Sequence, residues 1–107
     1  QGLSDKIMVV ACGEMGRTPR INANGGRDHW GGLAPLFIYG GGTKPGQVIG
    51  RSGKDAAEPA DTPVGIRELI ATLLERTVDV TQMRQLQNIP AEFTQVMTSW
   101  KPIPGLV

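Results

Sequence analysis

The sequence has little cysteine, no long apolar run and no cluster of like charge. The single cysteine among 107 residues, Cys12, excludes an internal disulfide. The longest apolar runs, residues 7–12 and 33–39, are far shorter than the roughly 18 residues that a membrane-spanning helix needs. Eleven basic residues against ten acidic ones leave a net charge of +1, and no window gathers five or six like charges. We therefore expect neither a membrane span nor a nucleic-acid partner.

Glycine and proline, by contrast, are plentiful. The chain holds 15 glycines and 8 prolines, a composition that favours many turns and few long elements. Its length is that of one small domain. Because the apolar residues fall into short runs between these turns, the composition indicates a loop-rich α/β protein.

Three short apolar runs predict strands. Residues 7–12 form a continuous run that is typical of a strand buried on both faces of a mostly parallel sheet. Residues 35–39 predict a second strand, which three consecutive glycines end, and residues 47–50 predict a short third one. Cys12, at the end of the first run, is expected to be packed in the core. The alternative is that Cys12 is a nucleophile, but the sequence places no base nearby to activate its thiol.

The second half of the chain predicts one main helix. Thr62 and Pro63 have the residue types of a helix N-cap and first turn, and apolar residues then recur at helical spacing, which predicts a helix over 63–76. A short helical turn is expected over 92–97, and the prolines after Trp100 predict an extended end. We treat residues 1–80 as a core segment and 81–107 as a loop-rich tail.

Residues 13–32 are polar and glycine-rich, which predicts a long loop without regular structure. Loops of this length are uncommon in compact domains unless they are functional. Glu14 follows the first strand and Asp28 and His29 precede the second, so the three side chains converge if those strands are neighbours. A carboxylate and an imidazole are ordinary ligands of zinc, manganese or iron. The alternative is a solvated Glu14 and a hydrogen-bonded Asp28–His29 pair.

Two arginines, Arg17 and Arg27, lie in the same loop. A guanidinium fork suits a phosphate or sulfate group, which predicts substrate binding; the alternative is that both arginines brace the loop. The glycine amides of the loop can also approach an anion, but no helix begins there to add its dipole. Trp30 either shields the site or anchors the loop.

These residues carry a family resemblance. The signature of DUF1501 proteins resembles residues 13–22 (GEMGRTPRIN) and residues 25–30 (GGRDHW). The likeness continues through residues 40–50 (GGGTKPGQVIG) and through Glu58-Pro59 to the helix after Pro63. It is long and specific from Val9 to Leu74.

The resemblance implies a place in the alkaline-phosphatase and sulfatase-like superfamily. The chain would then be a C-terminal segment of a three-layer α/β/α sandwich, contributing strands, the glycine-rich loop and one helix. By analogy, Glu14 resembles the carboxylate ligand of one divalent metal ion and His29, beside Asp28, a loop ligand of another, with zinc, manganese or calcium as the metal. The implied partners are the remainder of the parent polypeptide and a small anionic ester, and the implied location is periplasmic or extracytoplasmic.

Two departures from the superfamily pattern leave the function open. Met15 stands where catalytic relatives have histidine, and a thioether is a poor ligand for such ions. The nucleophile has no counterpart in these residues, so no catalytic residue is assigned. The first hypothesis is a metal-dependent hydrolase of phosphate or sulfate esters to which the chain contributes a metal-ligand loop. The alternatives are an inactive relative acting as a binding or structural module, and a complete small domain whose unpaired strand edges need a partner.

Overall fold

The computed structural model describes residues 2–106, which form a mixed α/β chain. Contacts divide it into two units, each described by itself below. The sheet unit comprises residues 2–41 and 48–63, and the helical unit comprises residues 42–47 and 64–106. The elements are, in chain order, β1 (Met8–Cys12), β2 (Gly16–Arg17), β3 (His29–Trp30), β4 (Leu36–Gly40), α1 (Ile66–Thr77), α2 (Val80–Met83) and α3 (Ala91–Ser99).

Strands β1 and β4 confirm the first two predicted strands as elements, and the two are neighbours. They pair antiparallel, with Cys12 opposite Leu36, so the observed sheet is not the parallel one that was expected. The predicted burial on both faces is also wrong for the described residues, since Val9 is 48% exposed. Cys12 is exposed rather than packed in a core. A continuous apolar run indicates a strand but carries no information on strand direction or on which segments cover it.

One face of this two-stranded sheet is apolar and is left exposed by the described part of the chain. Residues directly opposite each other in an antiparallel pair lie on the same face, which places Val9 with Tyr39 and Ala11 with Phe37. Phe37 and Tyr39 are 57% and 56% exposed. The other face is partly covered. This open face consists of Ile7, Val9, Ala11, Phe37 and Tyr39.

The predicted long loop contains a second antiparallel ladder. In it Gly16 lies opposite Trp30 and Arg17 opposite His29. The prediction of a loop without regular structure is therefore wrong. Two-residue strands are too short to produce an alternating apolar pattern, so turn-forming residues dominate the sequence signal.

The third predicted strand, over residues 47–50, is wrong. These residues have no regular structure, and Val48 is 94% exposed. Farther along, Ser52 forms an isolated antiparallel bridge with Pro59. The amide of Gly53 donates to the carbonyl of Glu58 at 2.8 Å, which closes the loop over residues 51–61.

Helix α1 confirms the main predicted helix, although it begins later than expected. Its N-cap is Gly65, and the amide of Gly65 donates to Oε2 of Glu68 at 2.8 Å. This carboxylate contact occupies an N-terminal amide and explains why Thr62 and Pro63 remain outside the helix. Helix α2 was not predicted, and α3 extends the expected turn over 92–97 at both ends. No helix of the described residues is long and apolar enough to cross a bilayer.

The helical unit has a small core. Ala71, Met97, Ile103 and Leu106 are all buried, and Thr72 is fully buried. The hydroxyl of Thr72 donates to the carbonyl of Glu68 at 2.7 Å and accepts from the amide of Ile103 at 2.8 Å. The segment after α3 is thereby fixed to α1 by one buried hydroxyl.

Candidate functional site

The hairpin of β2 and β3 approaches a neighbouring backbone very closely at Gly16. Gly16 is buried, and a Cβ atom at this position would lie 1.6 Å from the carbonyl oxygen of Leu33 and 2.9 Å from that of Trp30. Since real side chains do not reach such distances, only glycine fits. This contact sets where the hairpin lies relative to the start of β4.

Glu14, Arg17 and His29 lie together beside this ladder. Arg17 is directly opposite His29, and its Nη2 lies 3.3 Å from Oε1 of Glu14. The pKa of Glu14 is held below its usual value of 4.5 by a hydrogen bond from its own backbone, then by the charge and hydrogen bond of Arg17, and also by the charge of His29. Glu14 is therefore an ionised carboxylate within electrostatic reach of the imidazole.

Asp28 lies directly before β3 and forms hydrogen bonds with Thr18 and Asn22. Its carbonyl accepts from the amide of Thr18 at 2.9 Å, and its own amide donates to the Thr18 hydroxyl at 3.1 Å. Its side-chain Oδ1 accepts from Nδ2 of Asn22 at 2.9 Å. One carboxylate oxygen is thus engaged within the loop.

The two arginines contact the loop itself. Nη1 of Arg27 donates to the carbonyls of Thr18 at 2.7 Å and Pro19 at 2.6 Å. Arg17 contacts Glu14 through a pair whose side chains are 46% and 74% exposed. Exposed ion pairs of this kind are weak and open readily. The contacts of both arginines are those of loop bracing, but only Arg27 is fixed by two short bonds to backbone carbonyls.

Trp30 anchors the hairpin to the loop over residues 51–61. Its indole Nε1 donates to the carbonyl of Ala57 at 2.6 Å. A Cβ at Gly32 would lie 2.7 Å from both groups, so this neighbour must also be glycine. Anchoring the loop was one of the two roles predicted for Trp30. The indole N–H bonds to a backbone carbonyl, which no residue type in the sequence indicates.

Sequence reasoning did not single out Asn22, whose side chain contacts three other residues of the loop. The sequence did contain a signal. An asparagine two residues before an Asn-Gly-Gly sequence is well suited to accepting hydrogen bonds from the amides that follow it.

The described residues do not complete a metal site by themselves. Among them, no group of three or more histidine, cysteine, aspartate or glutamate side chains is arranged to hold a metal ion. A catalytic zinc site usually has three protein ligands and one open position. Met15, next to Glu14, is 41% exposed and offers only a thioether. A metal ion bound by His29 and its neighbours would need further ligands.

Comparison with known proteins shows the family. Residues 1–96 match the model of a family described as "Protein of unknown function (DUF1501)". Comparisons with curated proteins and with solved structures gave no match. Since the family model covers most of the chain, including the whole of the hairpin, the chain belongs to the DUF1501 family.

Proposed function

We propose that this chain contributes one side of a metal-dependent hydrolytic site for phosphate or sulfate esters. His29 is the principal ligand, with Glu14 and Asp28 as carboxylate ligands. The observation that supports this proposal is the position of His29 opposite Arg17, whose guanidinium contacts the ionised Glu14. An imidazole and an ionised carboxylate with an exposed arginine beside them supply both metal ligands and an anion-binding group.

The contacts suggest different roles for the two arginines in this proposal. A divalent ion would polarise the ester oxygens and stabilise the leaving oxygen. If Glu14 held such an ion, the guanidinium of Arg17 would be free to bind the ester anion. Arg27 keeps its two carbonyl contacts and maintains the shape of the loop. Arg17 is therefore the stronger candidate for substrate binding, and Arg27 acts on the anion only if those bonds open.

The open face supports the proposal that the chain is part of a three-layer α/β/α sandwich. Its five apolar side chains are all exposed and lie next to one another, and large contiguous apolar patches mark interfaces. We propose that helices from the remainder of the parent polypeptide cover this face. The same remainder would supply the missing metal ligands and the nucleophile. By the same resemblance, we propose a periplasmic or extracytoplasmic location, which cell fractionation can test.

The metal proposal is tested by replacing the histidine in the longer polypeptide. His29→Ala is expected to lose bound zinc or manganese, measured by elemental analysis, and to lose hydrolysis of an aryl phosphate or aryl sulfate. Arg20→Ala is the matched control, because Arg20 lies in the same loop and is exposed. Unchanged metal content in His29→Ala would contradict the proposal.

A second candidate function is a non-catalytic binding or structural module. The observation in its favour is that Arg27 and Asp28 are engaged within the loop, and Met15 replaces the expected ligand. This function predicts no turnover of aryl phosphate or sulfate with added zinc, manganese or calcium. It also predicts that His29→Ala leaves the metal content unchanged.

A further inference from the structure

Asn22 forms five hydrogen bonds, all within residues 22–28. Its Oδ1 accepts from the amides of Asn24 and Gly26, each at 3.0 Å, and its Nδ2 donates to Oδ1 of Asp28 at 2.9 Å. Its backbone amide donates to the carbonyl of Gly26 at 2.8 Å, and its carbonyl accepts from the amide of Gly25 at 3.0 Å. The side chain therefore joins the turn at residues 22–26 to the carboxylate of Asp28.

The chemistry of these partners permits only one orientation of the carboxamide. Two backbone amides can only donate, so they must face the carboxamide oxygen, and an ionised carboxylate can only accept, so it must face the nitrogen. Aspartate at position 22 would keep the two amide contacts but would place a second carboxylate against Asp28. Alanine would lose all three side-chain contacts. Asparagine is thus the residue type that satisfies both sides of the loop.

These bonds have two consequences for the candidate site. The carboxylate of Asp28 is fixed through Oδ1, while Oδ2 has no partner among residues 2–106. The amides of Asn24 and Gly26 are already satisfied by Asn22, so the glycine-rich turn does not present them to an external anion. The arginine side chains are therefore better placed than these two amides to bind an anion.

We propose that Asn22 is the positioning residue of the candidate site, which holds the Asp28 carboxylate in place before any metal ion binds. The part of this proposal that concerns metal binding rests on the proposed function. Residues that orient metal ligands in this way typically change metal affinity by about 10- to 100-fold when they are replaced.

The positioning role is tested in the longer polypeptide, kept free of metal, by amide hydrogen exchange. Asn22→Ala is expected to speed exchange at Asn24 and Gly26 by at least about tenfold. Asn22→Asp is expected to preserve those two amides but to speed exchange at Thr18, because repulsion between the two carboxylates displaces Asp28, whose carbonyl accepts from the Thr18 amide.

The double variant N22D/D28N exchanges donor and acceptor and is the matched control. It restores a hydrogen bond between positions 22 and 28 with the opposite polarity. Exchange at Thr18 is expected to return to the wild-type rate. Wild-type exchange in both single variants, or a double variant no slower than Asn22→Asp, would overturn the proposal.

The effect on metal binding is measured by titrating Mn²⁺ into the longer polypeptide. Asn22→Asp is expected to weaken binding by at least about tenfold. N22D/D28N is expected to remain weak, because the carboxylate at position 28 is gone although the loop is restored. If His29→Ala binds Mn²⁺ as wild type does, the proposed function fails. If His29→Ala loses binding while Asn22→Asp keeps it, the positioning of a metal ligand by Asn22 is overturned.

Discussion

The helical unit buries four apolar side chains, whereas no apolar side chain is buried among the described residues of the sheet unit. Met97 and Ile103 are 6% and 3% exposed, while Phe37 and Tyr39 are 57% and 56% exposed. The helical unit thus has a core of its own. The sheet unit, which carries every candidate site residue, is held together by strand pairing and by the hydrogen bonds of its loops.

This difference shows how the candidate site obtains its shape. The hairpin is fixed by a close backbone approach at Gly16, by the Trp30 indole and by the contacts of Asn22 and Arg27. None of these depends on apolar burial. The loop is therefore shaped locally, while the open face of β1 and β4 is exposed among the described residues. Substitutions in each unit test this division.

The largest effect is expected at Gly16. Gly16→Ala would place Cβ 1.6 Å from the Leu33 carbonyl oxygen, so the hairpin must open, at a cost of about 4 kcal/mol or more in the free energy of unfolding. Gly31→Ala is the control, since nothing lies within 4 Å of a Cβ there. Urea denaturation compares the two. Equal stability would show that the hairpin is not held by this close approach.

Replacing one large apolar side chain by alanine in each unit compares how much such a side chain stabilises the two units. In the 107-residue chain, Met97→Ala is expected to lower the free energy of unfolding by about 2–5 kcal/mol, because it leaves a cavity in the core. Phe37→Ala is expected to cost about 0.5 kcal/mol or less, because that ring is exposed. Denaturant midpoints measure both. A larger loss from Phe37→Ala would mean that the open face is covered in this chain.

The next largest loss of stability is expected at Thr72, whose hydroxyl is buried in the helical unit. Thr72→Val removes the acceptor of the Ile103 amide and leaves that buried group unpaired, which is expected to cost about 1–3 kcal/mol of unfolding free energy. Thr77→Val is the matched control, since Thr77 also donates to the carbonyl four residues earlier, at 2.7 Å, but is exposed. Similar losses from both variants would argue against the Thr72–Ile103 link.

The smallest expected effect is on how the stability of the fold depends on pH. The pKa of Glu68 is lowered from its usual 4.5, mainly by its own backbone amide and by that of Gly65, and the pKa of Glu14 is lowered as well. A carboxylate whose pKa is lower in the folded state stabilises that state above the usual value, and the contribution disappears as pH falls through the folded pKa. Denaturant midpoints between pH 6 and pH 3 should therefore decline less in Glu68→Gln than in wild type. An identical decline would contradict the capping role.

The fold was predictable where the sequence pattern is long. Strands β1 and β4 and helix α1 have runs or spacings that indicate their type over five or more residues. The ladder of β2 and β3 spans only two residues on each side. Residues 47–50 have strand-forming residue types but no pairing strand among residues 2–106. The start of α1 was misplaced because the bond between Gly65 and Glu68 competes with the proline signal at Pro63. Cys12 was misassigned because an apolar run does not show what covers it.

The proximity of Glu14 and His29 was predictable from the sequence, but the contacts within the loop were not. The order of Glu14, Asp28 and His29 around two strands suggested their convergence. The partners of Arg27 and Trp30 are backbone carbonyls, which every residue carries, so no residue type indicates them. Asn22 was missed because its role depends on a turn that brings Asp28 beside it.

The central claim, that His29 and Glu14 bind one metal ion together, has a direct test in the longer polypeptide. The ¹⁵N imidazole resonances of His29 are identified there by their absence from His29→Ala. Titration of Zn²⁺ is predicted to shift these resonances in wild type, and Glu14→Gln is predicted to require at least about tenfold more Zn²⁺ for the same shift. An unchanged response in Glu14→Gln, or no shift in wild type, would contradict the account.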